Sequence, residues 1–185
     1  MNSIYFIVAV VLVLVVIGAV VGLVFSNRKR SQNYQNKFGS DYEQTVKTMG
    51  NAKLAQTEMD DRVKHVSTLD IRPLTETEHA KYLSEWETIQ TKFIDQPAQA
   101  TVEADHLIME VMQNRNYPIS DFEQRAADIS IKYPNLVANY RAARAVAINN
   151  KERKATTEEL REAFVHYRSL FDELLEPDYS IEKKI

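Results

Sequence analysis

The chain has 185 residues, 26 acidic side chains against 23 Lys and Arg, four glycines and no cysteine. Without cysteine there is no thiol nucleophile, no redox pair and no thiolate zinc site. Gly18 and Gly22 fall in an apolar run, so Gly39 and Gly50 are left for the rest, too few and too far apart for a dinucleotide turn or a phosphate-cradling loop.

Ile4–Phe25 holds no charged side chain, and Arg28-Lys29-Arg30 follows at once. Twenty-two residues at about 1.5 Å each give a helix of roughly 33 Å, close to the hydrocarbon thickness of a bilayer. A cleaved signal peptide would want a basic start, a shorter apolar run and a small-residue cleavage site. Met1-Asn2-Ser3 has no basic residue, and Phe25-Ser26-Asn27 is no such site. The run therefore reads as a retained transmembrane anchor over residues 1–26. All nearby basic charge lies on its C-terminal side, which places the N-terminus outside and residues 28–185 in the cytoplasm, on a single-pass protein of the cell membrane. Arg28, Lys29 and Arg30 are suited to contact anionic lipid headgroups. Gly18-x-x-x-Gly22, extended one turn by Ser26, leaves a groove where a second helix could approach, giving a homodimer through the span. The bland reading of these glycines is that Gly is frequent in membrane helices.

Beyond a basic juxtamembrane segment, 27–39, the helix start signals are frequent. The capping pattern S/T-x-x-E occurs at Ser40–Glu43, Thr75–Glu78, Ser120–Glu123 and Thr156–Glu159. Asn51 and Pro97 supply two more starts. Stops fall at Gly50, before Pro73, near Asp95-Gln96, at Asn116–Pro118, near Tyr133-Pro134 and at Asn149-Asn150. Between them the apolar period is helical. Ala55, Met59, Val63 and Val66 form one stripe; Tyr82, Leu83, Trp86, Ile89, Phe93 and Ile94 a second; Ala104, Leu107, Ile108, Val111 and Met112 a third. Phe122, Ala126 and Ile129 follow, then Leu136, Val137, Tyr140, Ala147 and Ile148, then Leu160, Ala163, Phe164, Tyr167, Phe171 and Leu174. No segment alternates as a strand does. The expected fold is all-α: a transmembrane helix followed by a bundle of six or seven helices over 40–176, with a tail at 177–185.

Outside Arg28–Arg30, 26 acidic residues outweigh the remaining basic ones to give a net charge of −6, which argues against nucleic acid as the partner. Two Glu-x-x-His patterns, Glu76–His79 and Glu103–His106, invite comparison with helical carboxylate metal sites. At 100° per residue His106 falls nearly opposite the Ala104/Leu107/Val111 stripe and should face water, while His79 lies on the apolar face near Trp86 as a packing residue. No metal, cofactor or catalytic residue is assigned. Arg144 stands on a face that should be buried, so it must be paired or at the rim. The expectation is a salt bridge to Asp128 or Glu123 on the preceding helix, with recruitment of an anionic ligand as the alternative.

Several strings resemble a family of uncharacterised bacterial proteins with one N-terminal membrane helix: Lys37-Phe-Gly-Ser-Asp-Tyr42, Leu69-Asp-Ile-Arg-Pro-Leu74, Trp86 with Gln90, and Phe93-Ile-Asp-Gln-Pro97. They continue with Ala104-Asp105, Val111-Met112, Arg115-Asn-Tyr-Pro118, Asp121-Phe-Glu-Gln-Arg-Ala-Ala-Asp128 and Asn139-Tyr-Arg141. The departures are Asn116 where the family tends to have Gly, Lys132-Tyr133 where an acidic-His pair is usual, and Arg144 where His is common. The resemblance implies an anchor and a helical domain, and brings no activity.

These observations converge on a non-catalytic, membrane-tethered helical domain that binds a protein partner at the cytoplasmic face. A ligand- or metal-binding sensor built around Arg144, His79 and the Asp121–Asp128 run is the alternative, and an enzyme whose site is invisible in the sequence comes third.

Overall fold

The computed structural model describes residues 2–119, 121–151 and 154–176; of residues 2–16, 19–21, 23, 24 and 27 it describes the backbone without the side chain. Among these residues there are seven helices and no strand: α1 (Asn2–Met49), α2 (Ala52–Thr68), α3 (Glu76–Phe93), α4 (Pro97–Asn114), α5 (Phe122–Lys132), α6 (Val137–Lys151) and α7 (Thr157–Leu175). The all-α architecture is thus as the periodicity indicates. Two compact units, 1–56 and 57–185, meet within α2.

In the first unit the backbone is helical through the whole apolar run. Among the described residues no helix is long and apolar enough to cross a membrane. Most side chains of the expected span lie outside those described. The helix breaks at Gly39, whose φ of 52° and ψ of −131° suit only glycine. Ser40 follows the break, but Glu43, expected to cap back to it, accepts from Gln35 Nε2 at 2.8 Å instead. Gly50, at φ 65°, ends α1. Asn51 Oδ1 then accepts from the backbone N–H groups of Lys53 and Leu54 at 2.8 and 3.2 Å, starting α2.

In the second unit α4 packs against α3, α6 and α7, α6 packs on α7, and α5 on α6. Ala100 and Ala104, both fully buried, give α4 the slim face this position needs. Trp86 of α3 lies between two rings of α7, stacked at 5.1 Å on Phe164 and 4.6 Å on Phe171. Phe93 closes on Phe164 at 4.5 Å. Thr75 and Thr156 form complete capping boxes with Glu78 and Glu159.

Three readings need correction. The cap of α5 is Asp121, accepting from the Gln124 N–H, while Ser120 lies outside the described residues and Glu123 reaches Arg141. Leu83 is 41 % exposed and Ile94 80 %. Leu83 stands about 100° round the helix from Tyr82, and Ile94 lies past the last residue of α3, in the turn. Ile148 is half exposed, at the edge of its stripe. The expected tail at 177–185 lies outside the described residues.

The connections are held by one buried cation. Arg115, 1 % exposed, donates from Nη1 to the Leu174 carbonyl at the end of α7 (2.8 Å) and from Nε to the Arg72 carbonyl (3.2 Å). The carbonyls of a helix C-terminus are its negative pole, so the guanidinium serves as cap and counter-charge together. Asn116, next in the chain, takes φ 65°, and its side chain donates to the Asp70 carbonyl at 2.9 Å. This left-handed position explains why glycine would suit it and why Asn is the next choice.

Candidate functional site: a buried polar network

The most concentrated ionisable chemistry of the second unit lies where α4, α6 and α7 meet. Asp105 projects from α4 and is 2 % exposed. Its Oδ2 accepts an ion-paired hydrogen bond from Arg144 Nη1 of α6, and its Oδ1 accepts from the Tyr167 hydroxyl of α7 at 3.1 Å. The Arg144 guanidinium also lies over the Phe122 ring at 5.7 Å, and that of Arg125 lies over the same ring at 5.9 Å. Phe122 meets Tyr140 at 5.0 Å, and Tyr140 meets Tyr167 edge-on at 6.3 Å. One carboxylate, two guanidiniums and two phenols thus share an apolar seam.

Burial sets their protonation. It pushes the Tyr140 hydroxyl up from the usual phenol range. Tyr167 is raised further, first by burial and then by the negative charge and hydrogen bond of Asp105. Both hydroxyls therefore stay protonated at neutral pH, and that of Tyr167 donates to Asp105.

The partner expected for Arg144 is different in the structure. Glu123 is largely exposed and pairs with Arg141, one turn earlier on α6, at 3.5 Å. Asp128 points away from α6: its Oδ1 accepts from Gln124 Nε2 at 2.8 Å and lies 3.6 Å from His65 Nε2 of α2. The three residues expected in one network, Arg144, Asp128 and Glu123, are thus in three separate pairings. Asp105 was missed. It stands on α4 at the edge of the buried stripe, on the side of Thr101 and Met112, and that placement was the available signal.

Asp128 is fully buried, its Oδ2 accepts no hydrogen bond, and burial raises its carboxyl above the usual range. The folded chain therefore holds the Asp128 proton more tightly than the unfolded chain. That contribution is complete below the unfolded carboxyl pKa of about 4 and is lost as pH rises through the folded value. The stability of Asp128→Asn relative to the parent is expected to climb as pH rises above about 4. Thermal unfolding of both proteins across that range measures it, and a flat or falling difference would count against the assignment. Glu78 is the opposite case. A bidentate pair with Arg72 (2.7 and 2.8 Å) and the Thr75 N–H bring its carboxyl down to about 2.

The two Glu-x-x-His patterns lie apart from the network. Glu76 and His79 line a cavity of about 380 Å³ with Pro73, Leu74 and Leu175. Glu103 and His106 line a groove of about 310 Å³ between α3 and α4, where Lys92 holds Glu103 at 2.7 Å and lowers its carboxyl. His106 faces solvent and Trp86 is buried, as the helical wheel places them. Among the described residues no three His, Asp or Glu side chains stand where they could hold a metal ion.

Gly18, Gly22 and Ser26 are exposed along α1, and a Cβ at either glycine would have no described neighbour within 4 Å beyond its chain neighbours and the backbone of its own helix. Arg28, Lys29 and Arg30 are exposed as well.

Comparison with protein-family models, with curated proteins and with solved structures finds no match to this chain.

Proposed function

We propose that the chain is a non-catalytic, single-pass membrane protein whose helical domain binds a protein partner at the cytoplasmic face. The observation that carries this reading is the uncharged run Ile4–Phe25, helical in its backbone and followed directly by Arg28-Lys29-Arg30. The triplet contacts anionic headgroups, and the acidic remainder, at net −6, makes nucleic acid a poor partner. In the interior Asp105 accepts from Arg144 and Tyr167, and Arg115 donates to helix-end carbonyls, which gives these groups a packing role.

Topology and partner are tested together. A reporter fused after Ile185 should be active only in its cytosolic form, and export-dependent activity would overturn the orientation. Photo-crosslinkers at exposed positions of α3 to α7 in intact membranes should give a discrete heterologous adduct. Adducts of the chain with itself alone would speak against a protein partner.

Dimerisation through Gly18, Gly22 and Ser26 belongs to the same reading. Gly18→Ile with Gly22→Ile should abolish a two-hybrid signal between membrane spans. An undiminished signal would move the contact elsewhere.

A second reading, a ligand- or metal-binding sensor, has one observation in its favour: Glu76 and His79 line an otherwise apolar cavity. Native mass spectrometry with elemental analysis of the purified chain decides between them, a retained ligand or metal favouring the sensor.

A further inference from the structure

Past Gly39 the chain turns back on itself. Ser31 and Tyr42 would be separated by about 16 Å of rise in an unbroken helix, beyond the combined reach of their side chains. Their hydroxyls are 3.0 Å apart. Gln35 Nε2 donates to Glu43 at 2.8 Å, and the rings of Tyr34 and Tyr42 are 5.6 Å apart. Residues 40–49 therefore fold over the segment that leads from the apolar run. Gly39 lies eleven residues after Arg28, and Gly50 eleven after Gly39. At about 1.5 Å per residue the two legs are equal, roughly 16 Å each. A leg that folds back over the first returns the Met49-Gly50 turn to the level of Arg28–Arg30.

The composition of that turn changes accordingly. From Gln44 to Thr57 there is no acidic residue, and Lys47 and Lys53 flank the turn. Every residue from Lys47 to Leu54 is exposed, including Met49 at 39 % and Leu54 at 57 %. Two exposed apolar side chains alternating with two long cations, in the order Lys47, Met49, Lys53, Leu54, is the pattern of a segment that lies in a bilayer interface, apolar groups among the upper acyl carbons and ammonium groups at the phosphates.

We propose that the turn Lys47–Leu54 is a second membrane contact, resting on the anionic surface from which α1 emerges. This rests on the reading of Ile4–Phe25 as a membrane span. It makes the first unit a two-point attachment, with the span as one point and the Gly50 turn as the other.

The test uses the full chain in phosphatidylcholine–phosphatidylglycerol vesicles. The chain has no native cysteine, so Leu54→Cys can carry one environment-sensitive NBD label. Asn36→Cys, exposed beside the Gly39 corner, carries the control label. The label at 54 should be blue-shifted and lose intensity to a lipid-borne nitroxide, while that at 36 stays water-like. Equal behaviour at the two sites would overturn the contact. Lys47→Glu with Lys53→Glu should reduce the quenching at 54, and unchanged quenching would overturn the headgroup role. Carbonate extraction of the same vesicles separates the two ideas. A chain that washes off refutes the span itself, whereas a chain that stays, with position 54 in water, refutes only the second contact.

Discussion

Trp86→Ala is expected to cost about 3–5 kcal/mol, the range for removing a large aromatic from a packed core. Trp86 is 4 % exposed and sandwiched by Phe164 and Phe171, with Phe93 closing the cluster from the next turns of α3. Its removal separates α3 from α7 over the length of the stack, and rigid neighbours from two helices cannot collapse into the space. The loss is a large share of the ~5–15 kcal/mol that holds a domain together. His106→Ala is the control, since His106 lies on the solvent side of α4. Thermal melts followed by far-ultraviolet circular dichroism should separate the two variants widely. If they melt together, the packing of α3 on α7 is not what holds this unit.

How far the sequence shows this architecture depends on the kind of feature. Helix starts that use purely local chemistry are legible: Thr75 and Thr156 form the boxes their spacing implies, and Pro97 opens α4. Where two local signals compete the reading slips, as at Ser120 and Asp121, neighbours that can both cap and of which Asp121 caps α5. Stripes are legible at their centres and fail at their edges, where 100° of rotation decides between core and water. Leu83 and Ile148 are on the wrong side of that line. The Gly39 break is visible as a glycine, but the direction in which the chain leaves it depends on Tyr34, Tyr42 and Ser31 meeting across the corner. The polar network is the least legible feature. Arg144 announces itself as a charge on a buried face, whereas its partner lies 39 residues away on a helix that becomes its neighbour only through the packing of the whole unit. The carboxylates nearest in sequence were the wrong ones for the same reason: α5 presents Glu123 to solvent and Asp128 toward His65.

Breaking that network from its two sides should give unequal losses. Arg144→Met removes the charge from Asp105, whose side chain is 3 % exposed, and leaves a carboxylate buried with only the Tyr167 hydroxyl. Uncompensated buried charges of this kind cost roughly 3–5 kcal/mol. Asp105→Asn leaves Arg144, which at 23 % exposure can swing its guanidinium to water while its stem stays on Phe122. That loss should be the smaller, on the order of 1–3 kcal/mol for the weakened hydrogen bonds. The double variant should lose less than the two singles together, because the second substitution removes the charge that the first one stranded. Denaturant unfolding of the three variants measures all of this. Strict additivity, or equal losses for the two singles, would show that Asp105 and Arg144 do not form a buried pair. The anion-recruiting reading of Arg144 would then be the one to pursue.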